Sequence, residues 1–171
     1  MPSWQLISIY ESLFEMGSTF GIRDFGGLAF NSMRLEKMYR AYGAEFTEEI
    51  SALEAGMDRF LDLSRNFIGS DNIKQRKSDG VKTQLAYLIF DDETPAECFG
   101  NEAVFDGDEL SGIITSGAYG YRVGHSIAFA YLNPSHCSEG KALRVETSLG
   151  TRNCHVSLNA AYDNDNEKLR S

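Results

Sequence analysis

The sequence has few of the features that would assign a protein to a simple class. It contains only three prolines and three cysteines, Cys98, Cys137 and Cys154. The cysteines are odd in number and widely spaced, which argues against a disulfide-bonded secreted domain and favours a reducing compartment. No apolar run approaches the length of a membrane span, and the N-terminal residues show neither a secretory signal nor an Arg-rich presequence. We therefore expect a reduced, intracellular protein.

Basic residues are also scarce, with 16 Lys and Arg against 25 Asp and Glu and a net charge of −9. Nucleic acids and anionic membranes are bound mainly through basic surface, so neither is expected as the main partner. The 42% of apolar residues and 12% of aromatic residues are enough for a core and argue against disorder. The length of 171 residues suits one ordinary domain or two small ones.

Three helices are predicted in the first half of the chain. Apolar residues recur at helical spacing over residues 4–16. A second helix is predicted from about Leu28, with Met33 on its buried side. The residues after Gly69 are Ser, Asp and Asn. Their side chains can accept hydrogen bonds from the free backbone N–H groups at a helix start, so a third helix is predicted through Arg76.

Strand patterns replace helical ones beyond residue 80. The predicted strands are Gln84 to Phe90, Leu110 to Thr115, Ser126 to Leu132, and short runs around Leu143–Val145 and Cys154–Leu158. Several short strands separated by turn residues predict a compact antiparallel barrel. We therefore predict an α+β fold with a domain boundary near residue 80, so that residues 1–79 form one part and residues 80–171 form the barrel.

The run Asn31-Ser-Met-Arg-Leu-Glu-Lys-Met-Tyr-Arg-Ala-Tyr-Gly43 places a carboxylate among basic and aromatic side chains. Glu36 lies close in sequence to Lys37, Arg40 and Tyr42. A carboxylate that meets a flat, amine-bearing heterocycle can accept two parallel N–H bonds, each strengthened by the charge. From spacing alone, the alternative is a solvated charge at a helix end, paired with Lys37 or Arg40.

Two blocks of this sequence resemble the glycine cleavage T-protein, or aminomethyltransferase, superfamily. The first is the run above with Ala52-Leu-Glu-Ala-Gly-Met57, similar to the family's Leu-Arg-x-Glu-Lys … Tyr/Trp-Gly … Pro-Leu-Glu-Ala-Gly-Leu signature. The second is Thr115-Ser-Gly-Ala-Tyr-Gly120, followed by Val123 to Tyr131, similar to a stretch of the family's C-terminal barrel. The version here looks most like the C-terminal folate part of dimethylglycine and sarcosine dehydrogenases.

The resemblance implies the C-terminal portion of the aminomethyltransferase folate-binding fold, followed by its antiparallel β-barrel domain. It implies tetrahydrofolate as the bound cofactor, with Glu36 accepting hydrogen bonds from the pteridine ring. Arg65 is a candidate to bind a folate carboxylate, with a plain surface arginine as the alternative. Tyr42 is a candidate either to stack on the ligand or to fill the core. Glu54 belongs to the family signature, and we expect it to hold a turn.

By the same resemblance, the parent activity is oxidative demethylation of an N-methyl glycine derivative, in which FAD takes the hydride and tetrahydrofolate takes the one-carbon unit. The family's preceding folate-domain half and its FAD domain have no counterpart here, and no Gly-x-Gly-x-x-Gly follows a predicted strand. We therefore expect a part of a larger enzyme, completed by an N-terminal flavoprotein or folate-domain half, with no catalytic residue of its own. The alternatives are a glycine-cleavage aminomethyltransferase and a non-catalytic interaction module. The expected compartment is the cytoplasm, or the mitochondrial matrix in a eukaryote.

Two His/Cys pairs, His136-Cys137 and Cys154-His155, raise zinc binding as a further possibility. Adjacent residues on a strand point to opposite faces, and the usual gaps of two to four residues between ligands are missing. The acidic residues from Asp163 to Glu167 imitate the start of a calcium loop but lack its glycine and distal glutamate. No metal site is therefore predicted.

Overall fold

The computed structural model describes residues 2–96 and 98–171. Within them the helices are α1 (Leu6–Gly17), α2 (Gly27–Glu36), α3 (Ser70–Asp79) and α4 (Glu167–Arg170). The strands are β1 (Gln84–Phe90), β2 (Ala103–Asp106), β3 (Glu109–Gly120), β4 (His125–Leu132), β5 (Ala142–Thr147) and β6 (Gly150–Ser157). Contacts within the chain divide it into a first unit that ends at Phe30 and a second unit that begins at Asn31. The domain boundary near residue 80 stays a prediction.

In the first unit, α1 confirms the helix predicted over residues 4–16, but none of its residues is buried. Its exposed apolar side chains lie on one half of the helix: Leu6, Ile7, Ile9, Tyr10, Leu13 and Met16. The opposite half is polar, with Ser8, Glu11, Ser12 and Glu15 at helical spacing. The apolar stripe of such a helix normally faces a protein core, so this face of α1 has the composition of a buried surface.

In the second unit, six antiparallel strands form a closed barrel in the order β1-β4-β3-β2-β5-β6, and β6 pairs with β1 to close it. The hairpins β2–β3, β3–β4 and β5–β6 join neighbours in the chain. Closure leaves no free sheet edge within the barrel. The mixed helices and strands with this barrel confirm the predicted α+β class.

Strands β1 and β4 bury both of their faces. Alternate residues such as Leu88, Val104 and Val156 belong to one cluster, to which every strand contributes, and this cluster fills the interior. The opposite face of β1 and β4 carries Tyr87 and Phe129, which pack with Leu35 from the end of α2. Because α2 covers this outer face, β1 is a nearly continuous buried run and not a simple alternation.

Several local predictions need correction. Met33 was predicted on the buried side of α2 but is 46% exposed, because the helix instead turns Leu35 toward the barrel. The third helix is confirmed, yet it is preceded by Gly69 in a left-handed conformation and has no side-chain cap. The short strand β2 was not predicted. In the described parts of the chain, no helix combines the length and apolar character needed to cross a membrane.

Candidate functional site

The second half of α2 is held against strand β3 by side chains that donate hydrogen bonds to backbone carbonyls. Ser32 Oγ donates to Tyr119 O at 2.7 Å, and Asn31 Nδ2 donates to Gly117 O at 3.2 Å. These bonds connect residues that lie more than eighty positions apart in the sequence. They fix the end of the helix, and therefore Glu36, relative to the barrel.

Glu36 is buried, with only 6% of its surface exposed. Its carboxylate oxygen Oε1 accepts a hydrogen bond from the backbone N–H of Arg122 at 2.6 Å. Its backbone carbonyl accepts a hydrogen bond from the N–H of Tyr162 at 3.0 Å. Gly120 lies against the same carboxylate, since a Cβ built there would stand 3.1 Å from Oε1. The carboxylate is thus held by the turn between β3 and β4.

The alternative of a solvated charge paired with Lys37 or Arg40 is wrong. Lys37 Nζ instead pairs with Asp163 Oδ2 at 2.9 Å, and this hydrogen bond lowers the pKa of the Asp163 carboxyl. Arg40 Nε donates to the carbonyl of Ala55 at 3.0 Å. The carboxylate of Glu36 is therefore bound through the backbone and not neutralised by either neighbour.

Cationic side chains surround the ring of Tyr162, whose amide binds Glu36. The charged ends of Lys37, Arg122 and Lys168 lie 5.9, 5.5 and 5.1 Å from the ring centroid. Distances of this order permit cation–π attraction, which is modest for exposed cations. The tail that carries Tyr162 is thereby held beside the end of α2.

Arg34 and Glu45 form a buried ion pair near Glu36 in the sequence. Glu45 has no exposed surface, and its Oε2 accepts a hydrogen bond from Arg34 Nη1 at 2.9 Å and from Ala41 N at 2.8 Å. Its other oxygen accepts hydrogen bonds from the hydroxyls of Thr115, at 2.9 Å, and Ser116. Each carboxylate oxygen therefore has two donors, as a buried charge requires. This pair joins α2, the following loop and β3.

The structure does not bring the other two predicted site residues into contact with Glu36. Tyr42 is 81% exposed, in a turn where it forms an isolated bridge with Phe46. The Arg65 side chain is 84% exposed and pairs with Asp62 at 3.0 Å. Among the described residues, no hydrogen bond or ion pair links either of them to Glu36. Their assignment to a folate site stays a prediction.

Glu54 holds a turn, in keeping with the expectation for it. Its Oε2 accepts hydrogen bonds from the N–H of Ser51 at 2.8 Å, from the Ser51 hydroxyl at 2.7 Å and from Arg76 at 2.8 Å. Burial alone would raise the pKa of Glu54, but these bonds outweigh it and lower the pKa. Beside this turn lies an open cavity of about 770 Å³, lined in part by Ile50, Phe67, Ile73 and Lys82. Glu36 and Arg65 do not line it.

The sequence did not predict which residues hold Glu36 and its surroundings in place. Arg34 and Glu45 stand only eleven positions apart, but nothing in their spacing indicates that both are buried. The amide of Arg122 is a backbone group, which leaves no signal in a side-chain pattern. In the described portion of the chain, no three His, Cys, Asp or Glu side chains come together as a metal-binding group.

Two family models match the chain, one in each half. The GCVT N-terminal domain matches residues 1–65, and the glycine cleavage T-protein C-terminal barrel domain matches residues 84–163. Mouse dimethylglycine dehydrogenase is 37% identical over 142 residues, which are 81% of this chain and 16% of that protein. An aminomethyltransferase of Corynebacterium aurimucosum is 32% identical over 140 residues, which are 81% of this chain and 37% of that protein.

The fold also matches a solved structure. The crystal structure of the glycine cleavage system aminomethyltransferase T from Bartonella henselae has a TM-score of 0.71, with 18% identity, over 80% of this chain and 38% of that one. This chain therefore spans less than two fifths of the length of these relatives, and about a sixth of the dehydrogenase. By sequence and by fold, the chain belongs to the glycine cleavage T-protein family of aminomethyltransferases and related dehydrogenases.

Proposed function

We propose that this chain is a tetrahydrofolate-binding part of an oxidative N-demethylating enzyme of the dimethylglycine dehydrogenase type. The observation that carries the proposal is Glu36, a carboxylate that is buried and held by a hydrogen bond from the Arg122 amide to Oε1. A carboxylate so placed keeps acceptor capacity, since its two oxygens together offer about four lone-pair sites. A flat heterocycle with adjacent N–H groups is the ligand that suits this capacity.

The buried carboxylate of Glu36 suits the pteridine end of tetrahydrofolate. Glu36 would accept its N–H groups, and Tyr42 and Arg65 are the candidates for stacking and for the folate carboxylate. When bound, tetrahydrofolate would supply acceptance of a one-carbon unit. This chain's own contribution would be to bind and orient that cofactor. FAD would bind in a different part of the parent enzyme, because this sequence has no dinucleotide-binding glycine motif.

Calorimetric titration with tetrahydrofolate under reducing conditions tests this proposal. Wild-type chain is expected to bind saturably, and Glu36→Ala is expected to lose measurable binding. The reason is that each ligand N–H left without its acceptor costs about 1–3 kcal/mol. Glu93→Ala is the matched control, because Glu93 is an exposed glutamate in the turn after β1. It should bind as the wild type does.

The titration is repeated with the preceding folate-domain half of a dimethylglycine dehydrogenase supplied in trans. Binding that appears only in this mixture and is lost in Glu36→Ala would still support the proposal. Absence of binding in both experiments would contradict it and favour a non-catalytic module. Equal binding by wild type and Glu36→Ala would remove Glu36 from the site.

A glycine-cleavage aminomethyltransferase is the second candidate function. The observation in its favour is the 32% identity to the Corynebacterium aurimucosum enzyme, of which this chain spans more than twice the fraction that it spans of the dehydrogenase. The two candidates differ in flavin. Purification of the native assembly with bound FAD would favour the dehydrogenase, and a flavin-free assembly would favour the transferase.

We also propose a complementary polypeptide as partner, namely the earlier part of the GCVT N-terminal domain. The exposed apolar face of α1 supports this, because the apolar stripe of an amphipathic helix normally packs against another element. This chain covers only a small part of each relative's length, which agrees with a complementary partner. For the compartment we propose the cytoplasm, or the mitochondrial matrix in a eukaryote, since the mouse relative is named as mitochondrial.

A further inference from the structure

The contact between Glu36 and the turn after β3 joins the end of α2 to the barrel at one oxygen atom. Oε1 of Glu36 accepts the N–H of Arg122 at 2.6 Å, across 86 positions of sequence. A hydrogen bond to a charged acceptor is stronger than one between neutral groups. The barrel therefore determines where this carboxylate lies.

The turn has its own supports, which do not involve Glu36. The N–H of Gly124 donates to the carbonyl of Gly120 at 2.8 Å, and Gly124 has a left-handed backbone with φ of 78°. The hydroxyl of Tyr119 donates to the carbonyl of Gly124 at 3.0 Å, and the Tyr119 ring packs edge-on against Tyr121. A turn braced in this way can hold the carboxylate in one place.

The same donor has a second consequence for the carboxylate. Because Oε1 already accepts the Arg122 N–H, most of the remaining acceptor capacity of the carboxylate lies on Oε2. The side chain of Arg122 is not needed for this contact, since only its backbone N–H takes part. That side chain instead lies over the ring of Tyr162.

We propose that the backbone N–H of Arg122 is a positioning group that fixes Glu36 for recognition of the ligand's N–H donors. This inference rests on the proposed folate-binding function and adds to it a source of selectivity in the barrel. The turn need not touch the ligand. It acts by holding Oε1, so that Oε2 faces a flat heterocycle with an exocyclic amino group at a defined angle.

Arg122→Pro and Arg122→Ala form the matched pair that tests the inference. Both remove the side chain, but only proline removes the N–H. Affinity is measured by calorimetry for tetrahydrofolate and for its analogue without the 2-amino group, with the complementary half added if the wild type requires it. Arg122→Ala should match the wild type. Arg122→Pro should bind tetrahydrofolate about tenfold more weakly or worse, with a much smaller loss for the analogue.

A merely structural role predicts a different pattern, in which Arg122→Pro weakens both ligands in proportion. That result, or equal affinity in the proline and alanine variants, would overturn the inference while leaving the folate proposal intact. Absence of binding by the wild type in every format would instead overturn the folate proposal itself, and with it the role in ligand recognition. The two failures are therefore distinguishable.

A second pair covers the case in which proline prevents folding. Gly124→Val and Gly107→Val each place a branched side chain at positive φ in a barrel hairpin, where a Cβ meets no atom within 4 Å. Similar strain is therefore expected in both, but only Gly124 belongs to the turn that holds Glu36. Loss of selectivity in Gly124→Val alone is expected, and equal behaviour of the pair would overturn the inference.

The anchor is also observable without ligand. In a ¹⁵N–¹H spectrum, the Arg122 amide of the free wild type should lie downfield, as expected for a donor to a carboxylate. Glu36→Gln should move it upfield, while the Glu93→Gln control should leave it unchanged. An amide resonance that does not respond to Glu36→Gln would overturn the positioning role irrespective of any folate result.

Discussion

At the scale of single residues, the buried pair of Arg34 and Glu45 is expected to have a large effect on stability. Glu45→Ala would leave the Arg34 guanidinium buried without its partner, and breaking such a pair costs about 3–5 kcal/mol. The hydroxyls of Thr115 and Ser116 would lose their acceptor as well. Urea unfolding of Glu45→Ala should show this loss, whereas Glu93→Ala should unfold as the wild type does. A difference below about 1 kcal/mol would contradict the role given to the pair.

Glu54 is expected to make stability depend on pH in the acid range. Its pKa is lowered in the folded state by Ser51 and Arg76. A lowered pKa means that the stabilisation is present above the unfolded-state value, near 4.3, and is lost as the pH falls through the folded-state value. Unfolding midpoints measured from pH 7 downward should therefore fall less steeply in Glu54→Gln than in the wild type. Parallel pH profiles would contradict the prediction.

At the scale of secondary-structure elements, α1 is where the proposed partner is expected to bind. The double substitution Ile7→Glu and Leu13→Glu places charges on two of its exposed apolar positions. It should abolish co-purification with the preceding folate-domain half, because burying unpaired carboxylates is costly. Leu149→Glu is the control, since Leu149 is an exposed apolar residue in the turn between β5 and β6. Retention of the complex in the double variant would contradict this docking site.

Elements were predictable from the sequence where a local pattern determined them. β1 was predicted with its observed bounds, since its apolar run is long and ends at the acidic residues Asp91 and Asp92. β2 was missed because it has four residues, of which only Val104 is buried, and one of its two partners, β5, is distant in sequence. Met33 was misplaced because the apolar spacing of α2 does not show which turn of the helix meets the barrel.

At the scale of the whole molecule, the candidate site was only partly predictable. Glu36 was identified through its resemblance to a family motif, not from its spacing. Its anchor at Arg122 and the donors to Glu45 from β3 depend on contacts across 70 to 86 positions. Such contacts arise from barrel closure and from the register of β3, neither of which a single sequence displays.

The closing of the barrel by β6 has a consequence for synthesis on the ribosome. Residues 31–36 emerge before the barrel that receives them, which is not complete until Gly150–Ser157 has paired with β1. Tyr162, which binds the carbonyl of Glu36, emerges later still. The Glu36 carboxylate is therefore not held in its final position until all six barrel strands have been synthesised. A premature stop codon near residue 150 would thus remove the site while leaving Glu36 itself encoded.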